Sequence, residues 1–114
     1  MSDKHPFTDG VTDINPWHPE ADPVRLAALG KLAEELTEAA SRVSRCIIQG
    51  IDELDPESGR SNRDELGREM ADIRAAFNVL LEEAGPVEVS DLRSHNKSAG
   101  FRNWFGLIRP RQES

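Results

Sequence analysis

Two groups of acidic residues are notable for their spacing. Glu35 and Glu38 lie three residues apart, directly after Glu34, and Glu69 and Asp72 repeat that spacing further along the chain. In an α-helix, residues three apart project from the same side. Four carboxylates supplied by two helices form the all-oxygen site that Mg²⁺ or Mn²⁺ prefers. The spacing therefore predicts a divalent metal site.

Metal sites that need histidine are disfavoured. A ferritin-like di-iron bundle uses Glu-x-x-His motifs within its helices. The three histidines, His5, His18 and His95, all lie outside the two long predicted helices. An all-carboxylate site for Mg²⁺ or Mn²⁺ is thus favoured over iron or zinc. Because Mg²⁺ commonly bridges to substrate phosphates, the site also predicts a phosphorylated ligand.

The first acidic group falls in a segment with clear helix signals at both ends. Asp22 can cap the N-terminus of the helix, and Pro23 suits its first position. Gly50 can adopt the left-handed backbone conformation that ends a helix. A helical apolar stripe runs between them. Its members are Leu29, Leu32, Leu36, Val43 and Ile47.

The second acidic group falls in another predicted helix. Asn62 followed by Glu65 has capping-box spacing, and Gly85 before Pro86 predicts a sharp end. The stripe of this helix is Leu66, Met70, Ile73, Phe77, Leu80 and Ala84. No strand alternation is present, so the sequence predicts an all-α fold of antiparallel helices.

The acids differ in their position relative to the stripes. At about 100° per residue, Glu35 lies about 100° from Leu36, at the edge of the first stripe. Glu69 lies only about 40° from Ile73, nearly within the second stripe, and Asp72 lies at its edge. A carboxylate directed toward a core is costly unless it is paired or binds a metal. This placement strengthens the metal hypothesis.

The whole chain has the size of one domain. It has 114 residues and a formal charge of −7. We divide it into an irregular arm (1–21), two long metal-site helices (22–85) and a basic tail (86–114). The acidic balance argues against nucleic-acid binding, and no segment has the length and apolarity of a membrane span. With a single cysteine, Cys46, the composition predicts a cytoplasmic protein.

Two amphipathic helices cannot bury their stripes alone, so the sequence also predicts self-association. A homodimer with a four-helix-bundle-like core is the minimum, and a homotetramer is the other expected form.

The acidic pattern resembles the EExxE…ExxD signature of the MazG-like, all-α NTP pyrophosphohydrolases. KLAEELTEAA and ELGREMADI are similar to the two helices that carry it. The resemblance implies hydrolysis of a (d)NTP to the monophosphate and pyrophosphate, with two or more Mg²⁺ or Mn²⁺ ions per site. Some phage-type members act on purine nucleotides, which makes dGTP one expected substrate.

The resemblance also implies roles for particular residues. The implied metal ligands are Glu35, Glu38, Glu69 and Asp72. Glu34 would be a further ligand or orient the attacking water, and with Glu38 it forms the expected catalytic pair. The candidates for holding phosphates are Lys31, Arg42, Asn96, Lys97 and Arg102. The candidates for contacting the base are Trp17, His18 and Asn78.

Two other functions fit the same sequence. One is a phosphoribosyl-ATP pyrophosphohydrolase, which shares the acidic helices and differs in its base and ribosyl pocket. The other is a non-catalytic helical dimer that binds a partner through the basic tail.

Overall fold

The computed structural model describes residues 17–110, and these form helices joined by loops. The helices are α1 (Pro23–Gln49), α2 (Asn62–Ala84) and α3 (Asp91–Ile108). Within the described range, the only extended pairing is an isolated bridge between Leu54 and Ser61. The predicted all-α class is confirmed. Of the predicted irregular arm, 17–21 is non-helical and the rest lies outside the described residues.

Helix α1 has the predicted ends. The Asp22 carboxylate accepts a hydrogen bond from the Arg25 backbone N–H at 2.8 Å, and Pro23 opens the helix. At the other end, Gly50 has a φ of 106° and donates its N–H to the Cys46 carbonyl at 2.9 Å. A positive φ costs little conformational free energy for glycine, which has no Cβ atom, and this explains why α1 ends there.

Helix α2 begins one residue earlier than its predicted cap implies. The cap is Ser61, whose hydroxyl accepts from the Asp64 N–H at 3.0 Å, so the predicted Asn62–Glu65 capping box is wrong. Asn62 is instead the first helical residue, and its side chain is buried beneath the α1–α2 loop. The predicted stop at Gly85 is confirmed, with a φ of 89°.

Helices α1 and α2 pack together as a hairpin. The contacting side of α1 follows alternating steps of four and three residues, the spacing of a coiled-coil seam. Its buried and half-buried members are Ala28, Leu32, Glu35, Ala39, Arg42 and Cys46. The matching members on α2 are Asn62, Leu66, Glu69, Ile73, Ala76 and Leu80. Two of the acids predicted to bind metal therefore lie in the seam.

The apolar stripe predicted on α1 is not the side that faces α2, except at Leu32. Leu36 is 50% exposed, Val43 43% and Ile47 78%. The seam instead uses alanines, which let the two helices approach closely, together with polar side chains that bond across it. Helix α1 thus carries two neighbouring stripes, and the structure buries the less apolar one.

Helix α3 is separate from the hairpin. Ser90 caps it by accepting from the Arg93 N–H at 3.1 Å, and none of its residues is buried. It makes no contact with α1 or α2. Helix α3 thus occupies most of the segment assigned as the basic tail and does not dock on the other two helices.

None of the three helices combines the length and apolarity needed to cross a bilayer; this holds for residues 17–110.

Candidate metal centre

Three of the predicted ligands converge between α1 and α2. One carboxylate oxygen each from Glu35, Glu69 and Asp72 lies within 4.8 Å of the others. Because α1 and α2 run antiparallel, the turn of α1 that carries Glu35 lies beside the turn of α2 that carries the other two acids. The seam thus assembles the cluster from residues far apart in sequence.

Two oxygens of this cluster are buried without any hydrogen-bond donor. They are Oε2 of Glu35 and Oε2 of Glu69. A buried polar atom without a partner carries the full cost of leaving water, and the cost is greater for a charged group. Native structures leave few such atoms, and water, an ion, strain or a catalytic role commonly accounts for them. Two in one cluster of acids point to a cation.

Burial and repulsion act on both carboxyl groups. Burial is the main cause that raises the pKa of Glu35, and the neighbouring charges of Glu38, Asp72 and Glu34 raise it further. Burial is also the main cause that raises the pKa of Glu69, with Glu38 and Asp72 adding to it. Without a cation, the cluster therefore resists full ionisation.

The donor set fits a hard divalent ion. Ligands on opposite sides of Mg²⁺ are about 4 Å apart, because each lies about 2.1 Å from the ion. The three oxygens all lie within 4.8 Å of one another, a separation of the same order. Carboxylates without sulfur or imidazole suit Mg²⁺ or Mn²⁺ better than zinc or iron.

The other two acids of the motif lie around the cluster. Glu38 is close enough to raise the pKa values of both Glu35 and Glu69. Glu34 is half-exposed and accepts a hydrogen bond from Lys31 Nζ at 3.2 Å. All five acids of the predicted motif therefore share one region, with the two predicted catalytic residues on its α1 side.

A cavity of about 290 Å³ adjoins the cluster. Glu35 and Asp72 line it together with Lys31, so it carries acids and a cation on its wall. The remaining lining is apolar: Ala28, Ala75, Ala76 and Val79. A ligand in this cavity would have a charged end beside the carboxylates and an apolar part against the alanines.

Arg42, predicted as a possible phosphate ligand, has other partners. Its Nη1 donates to Asp55 at 2.8 Å and to Asn62 at 3.0 Å, and its side chain is only 11% exposed. Its Nη2 lies 3.5 Å from Glu65. We call these four residues the loop network. The guanidinium bonds to this network rather than facing the cavity lining, and the suggestion that Arg42 holds a phosphate stays a prediction.

The loop network fastens the α1–α2 connection to the hairpin. Asp55 also accepts from Arg45 Nη1 at 3.1 Å and from the Glu57 N–H at 2.8 Å, and the bond from Arg42 is the main cause that lowers its pKa. The Asn62 amide donates to Gln49 at 3.1 Å and to the Gly50 carbonyl at 3.0 Å. Because Arg42 lies two turns from Glu35 on α1 and Glu65 lies one turn from Glu69 on α2, the network fixes how the two helices align beside the cluster.

The remaining predicted site residues are not brought to the cluster. Trp17 lies before α1 and is 72% exposed, and Asn78 is exposed on α2 outside the cavity lining. Asn96, Lys97 and Arg102 lie on α3, which does not touch the hairpin.

On α3, two of these residues line a groove of their own. The groove has a volume of about 360 Å³ and is lined by Arg93, Asn96, Lys97, Gly100 and Phe101. Lys97 Nζ lies 6.0 Å from the centre of the Phe101 ring. The predicted substrate contacts of α3 thus stay predictions.

The loop network is the feature that sequence reasoning missed. A signal was present: Arg42 continues the same four-and-three spacing that contains Glu35 and Ala39. A cation in a helix seam needs buried acceptors. Those acceptors come partly from the loop, whose course was not predictable from the sequence.

Comparison with known proteins adds no assignment. No protein-family model, no curated protein and no solved structure matches the chain. The interpretation therefore depends on the geometry described above and on the resemblance of the acidic motif.

Proposed function

We propose that this protein is a metal-dependent nucleoside triphosphate pyrophosphohydrolase with a MazG-like all-α fold. It would hydrolyse a (d)NTP to the (d)NMP and pyrophosphate. The observation that carries the proposal is the pair of buried carboxylate oxygens on Glu35 and Glu69 that have no donor. Their position beside Asp72 and an adjoining cavity supports a metal site that faces a ligand.

A purely structural role explains these acids poorly. No cation among the described residues bonds to Glu35 or Glu69. Arg42 is occupied by the loop network, and Lys31 bonds to Glu34. Acidic residues whose only role is to keep the surface hydrated would be exposed to water rather than directed into a helix seam.

The metal ligands of the proposal are Glu35, Glu38, Glu69 and Asp72, with Mg²⁺ or Mn²⁺ as the cofactor. When bound, the ion would neutralise phosphate charge and lower the pKa of its water ligand. The three clustered oxygens could serve as ligands of one ion, and a second ion would need Glu38 or Glu34 as well.

In the proposed reaction, a water oxygen forms a bond to the α-phosphorus, and the bond from that phosphorus to the α,β-bridging oxygen breaks. The proton leaves to a carboxylate, and pyrophosphate departs with the bond electrons. Glu38 is the nearer candidate for the proton acceptor because it lies beside both buried acids. Lys31 can hold a phosphate oxygen at the cavity wall and keeps Glu34 in place.

The apolar part of the cavity is the proposed place of the nucleoside. Its alanines leave space for a flat ring, but they offer no hydrogen bonds to the edge of a base. Discrimination among bases would then need groups outside the cavity, such as Trp17 or Asn78. A purine dNTP such as dGTP stays the first substrate to test.

One observation favours the non-catalytic alternative. Helix α3 carries Lys97 and Arg102 but contacts neither metal-site helix. If α3 serves a partner protein instead, the chain would bind that partner and hydrolyse no nucleotide.

The test is a panel of the common NTPs and dNTPs, with phosphoribosyl-ATP, in Mg²⁺ or Mn²⁺. Pyrophosphate and orthophosphate are scored separately, and ¹⁸O water locates the attack. We expect pyrophosphate from at least one nucleotide, with the label in the monophosphate. Label in pyrophosphate would exclude attack at the α-phosphorus, and orthophosphate as the only product would refute the reaction.

Variants connect this activity to the cluster. Glu38→Gln and Glu69→Gln should abolish pyrophosphate release. Glu83→Gln, which removes an exposed carboxylate from α2, is the matched control and should keep it. Equal activity in all three variants would remove the cluster from the mechanism.

A further inference from the structure

Two buried carboxylates at the loop end of the hairpin each hold more than one arginine. The first is Asp55, whose Oδ2 accepts from Arg42 Nη1 at 2.8 Å and from Arg45 Nη1 at 3.1 Å. Two guanidinium groups therefore meet at a single carboxylate oxygen. The Arg42 side chain is only 11% exposed, whereas the Arg45 side chain is 46% exposed.

The second carboxylate, Glu65, is shared in the same way. Its Oε1 accepts from Arg60 Nε and lies 3.9 Å from Arg68 Nε, so two guanidinium groups again meet at one oxygen. Arg42 joins the two groups, because its Nη2 lies 3.5 Å from Glu65 Oε2. The Glu65 side chain is 12% exposed, while the side chains of Arg60 and Arg68 are 46% and 64% exposed. We call Arg45, Arg60 and Arg68 the arginine cluster.

These contacts leave an excess of positive charge. Four guanidinium groups surround two carboxylates, so the positive charges outnumber the negative ones by two. Both acids stay ionised, because the bond from Arg42 is the main cause that lowers the pKa of Asp55, and the bond from Arg60 is the main cause that lowers the pKa of Glu65. A guanidinium has five N–H donors, and a shared carboxylate oxygen occupies only part of them. The arginine cluster thus offers donors and uncompensated charge to an anion.

The arginine cluster lies beside the metal centre, on the side away from the cavity. At about 100° per residue, Arg45 falls about 20° from Glu38 around α1, and Arg68 falls about 40° from Asp72 around α2. Along the helix axes these arginines lie about 10 Å and 6 Å from those acids, both toward the α1–α2 loop. The cavity lies in the opposite direction, because its other lining residues are nearer the start of α1 and the end of α2.

We propose that the arginine cluster binds the pyrophosphate group of a nucleotide whose α-phosphate lies at the metal centre. The inference rests on the proposed function and adds the residues that hold the leaving group. The nucleoside would occupy the cavity, and the two terminal phosphates would extend along the hairpin toward Arg68 and Arg45.

The chemistry of the cluster suits this ligand. Guanidinium groups bind phosphate oxygens through paired N–H bonds, and a carboxylate that already holds a guanidinium fixes its orientation. When the bond from the α-phosphorus to the α,β-bridging oxygen breaks, pyrophosphate leaves with the bond electrons and gains negative charge. Cations held in place before the reaction stabilise that charge without having to reorient.

Stability of the fold alone explains the cluster poorly. Exposed ion pairs such as those of Arg45 and Arg68 contribute little to folding, because water screens them. A second guanidinium at an oxygen that is already paired also adds repulsion between the two cations. An anion bound to the cluster would relieve that repulsion.

The test measures binding of inorganic pyrophosphate to the full chain by titration calorimetry, in buffer with excess Mg²⁺. Arg45→Gln and Arg68→Gln each remove one cation of the cluster. Arg74→Gln is the matched control, since it removes an exposed arginine from the opposite side of α2. Far-UV circular dichroism and the melting temperature check that each variant folds.

We expect pyrophosphate to bind at least about tenfold more weakly to Arg45→Gln and to Arg68→Gln than to the wild type. Arg74→Gln should bind it as the wild type does. The two cluster variants keep the Arg42 bonds to Asp55 and Glu65, so their helix content should not change.

Three results would overturn the proposal. The first is a wild type that does not bind pyrophosphate, and the second is equal binding by the wild type and both cluster variants. The third is an equal loss in all three variants, which would show an effect of net charge rather than of a site.

Binding of pyrophosphate requires no turnover, so this inference and the proposed function fail separately. If no nucleotide is hydrolysed but binding follows the expected pattern, the phosphate site is supported and the reaction is refuted. If a nucleotide is hydrolysed while all variants bind pyrophosphate equally, the reaction stands and the arginine cluster is not its phosphate site.

Discussion

Replacing Glu69 by glutamine tests the metal centre most directly. The change keeps the size of the side chain and removes the carboxylate of one of the two residues whose Oε2 is buried without a donor. It has two opposite consequences. The metal-free protein should become more stable at neutral pH, because repulsion from Glu38 and Asp72 is removed. The metal-bound protein should lose most of its added stability, because a ligand is gone.

The magnitude follows from linkage between binding and folding. A cation present at 100 times its dissociation constant stabilises the folded state by about 2.7 kcal/mol. At about 4 °C per kcal/mol for a chain of this size, the wild type should gain on the order of 10 °C. If the lost ligand weakens binding about 100-fold, the same cation concentration adds only about 0.4 kcal/mol, or roughly 2 °C.

The assay is thermal unfolding, followed by circular dichroism at one protein concentration, with and without Mn²⁺. Glu83→Gln is the control, since it changes the net charge equally on an exposed part of α2. The reasoning is refuted if Glu69→Gln and the control gain the same number of degrees from Mn²⁺. It is also refuted if the wild type gains none.

Three further predictions concern the loop, the pH dependence and α3. Asn62→Ala removes three side-chain hydrogen bonds, worth about 3 kcal/mol in total, and should lower the melting temperature by roughly 12 °C. Asn103→Ala, exposed on α3, should change it little; equal effects would contradict a role for the loop network. In the metal-free protein, Glu35 and Glu69 have raised pKa values, so their protonated forms stabilise the fold at pH below the ordinary glutamate pKa. That stability is lost as the pH rises through the raised pKa values and the two carboxyl groups ionise. The melting temperature should therefore fall as the pH rises above about 4.5, and Mn²⁺ should remove the fall; a flat profile without metal would contradict the burial of these acids. Lys97→Ala should slow pyrophosphate release at least about tenfold while leaving the Mn²⁺ shift unchanged, and unaltered turnover would exclude a substrate contact from α3.

The helices themselves were predictable because their signals are local. Asp22, Pro23 and Gly50 bound α1 as expected from their backbone preferences. The one boundary error, at the start of α2, has a tertiary cause. Asn62 can cap a helix, but three partners across the loop hold its side chain elsewhere, and Ser61 takes the cap.

The acidic motif was also visible in the sequence, since residue type and helical spacing place carboxylates on a common side of each helix. The spacing could not show which apolar stripe of α1 meets α2. That choice depends on how closely two helices approach, and Ala28 and Ala39 on α1 let it lie close to α2.

The sequence by itself determined the two long helices, the position of each acid on its helix, and the net acidic charge. Only the tertiary structure decided that one oxygen each of Glu35 and Glu69 lies buried without a donor, and that Arg42 bonds to the loop. The physical reason is that a side chain's preference for a helix position is local, whereas its burial and partners depend on which surfaces meet. Here the side of α1 that meets α2 is rich in alanine and polar residues, which brings the acids together at the seam and leaves Leu36, Val43 and Ile47 exposed.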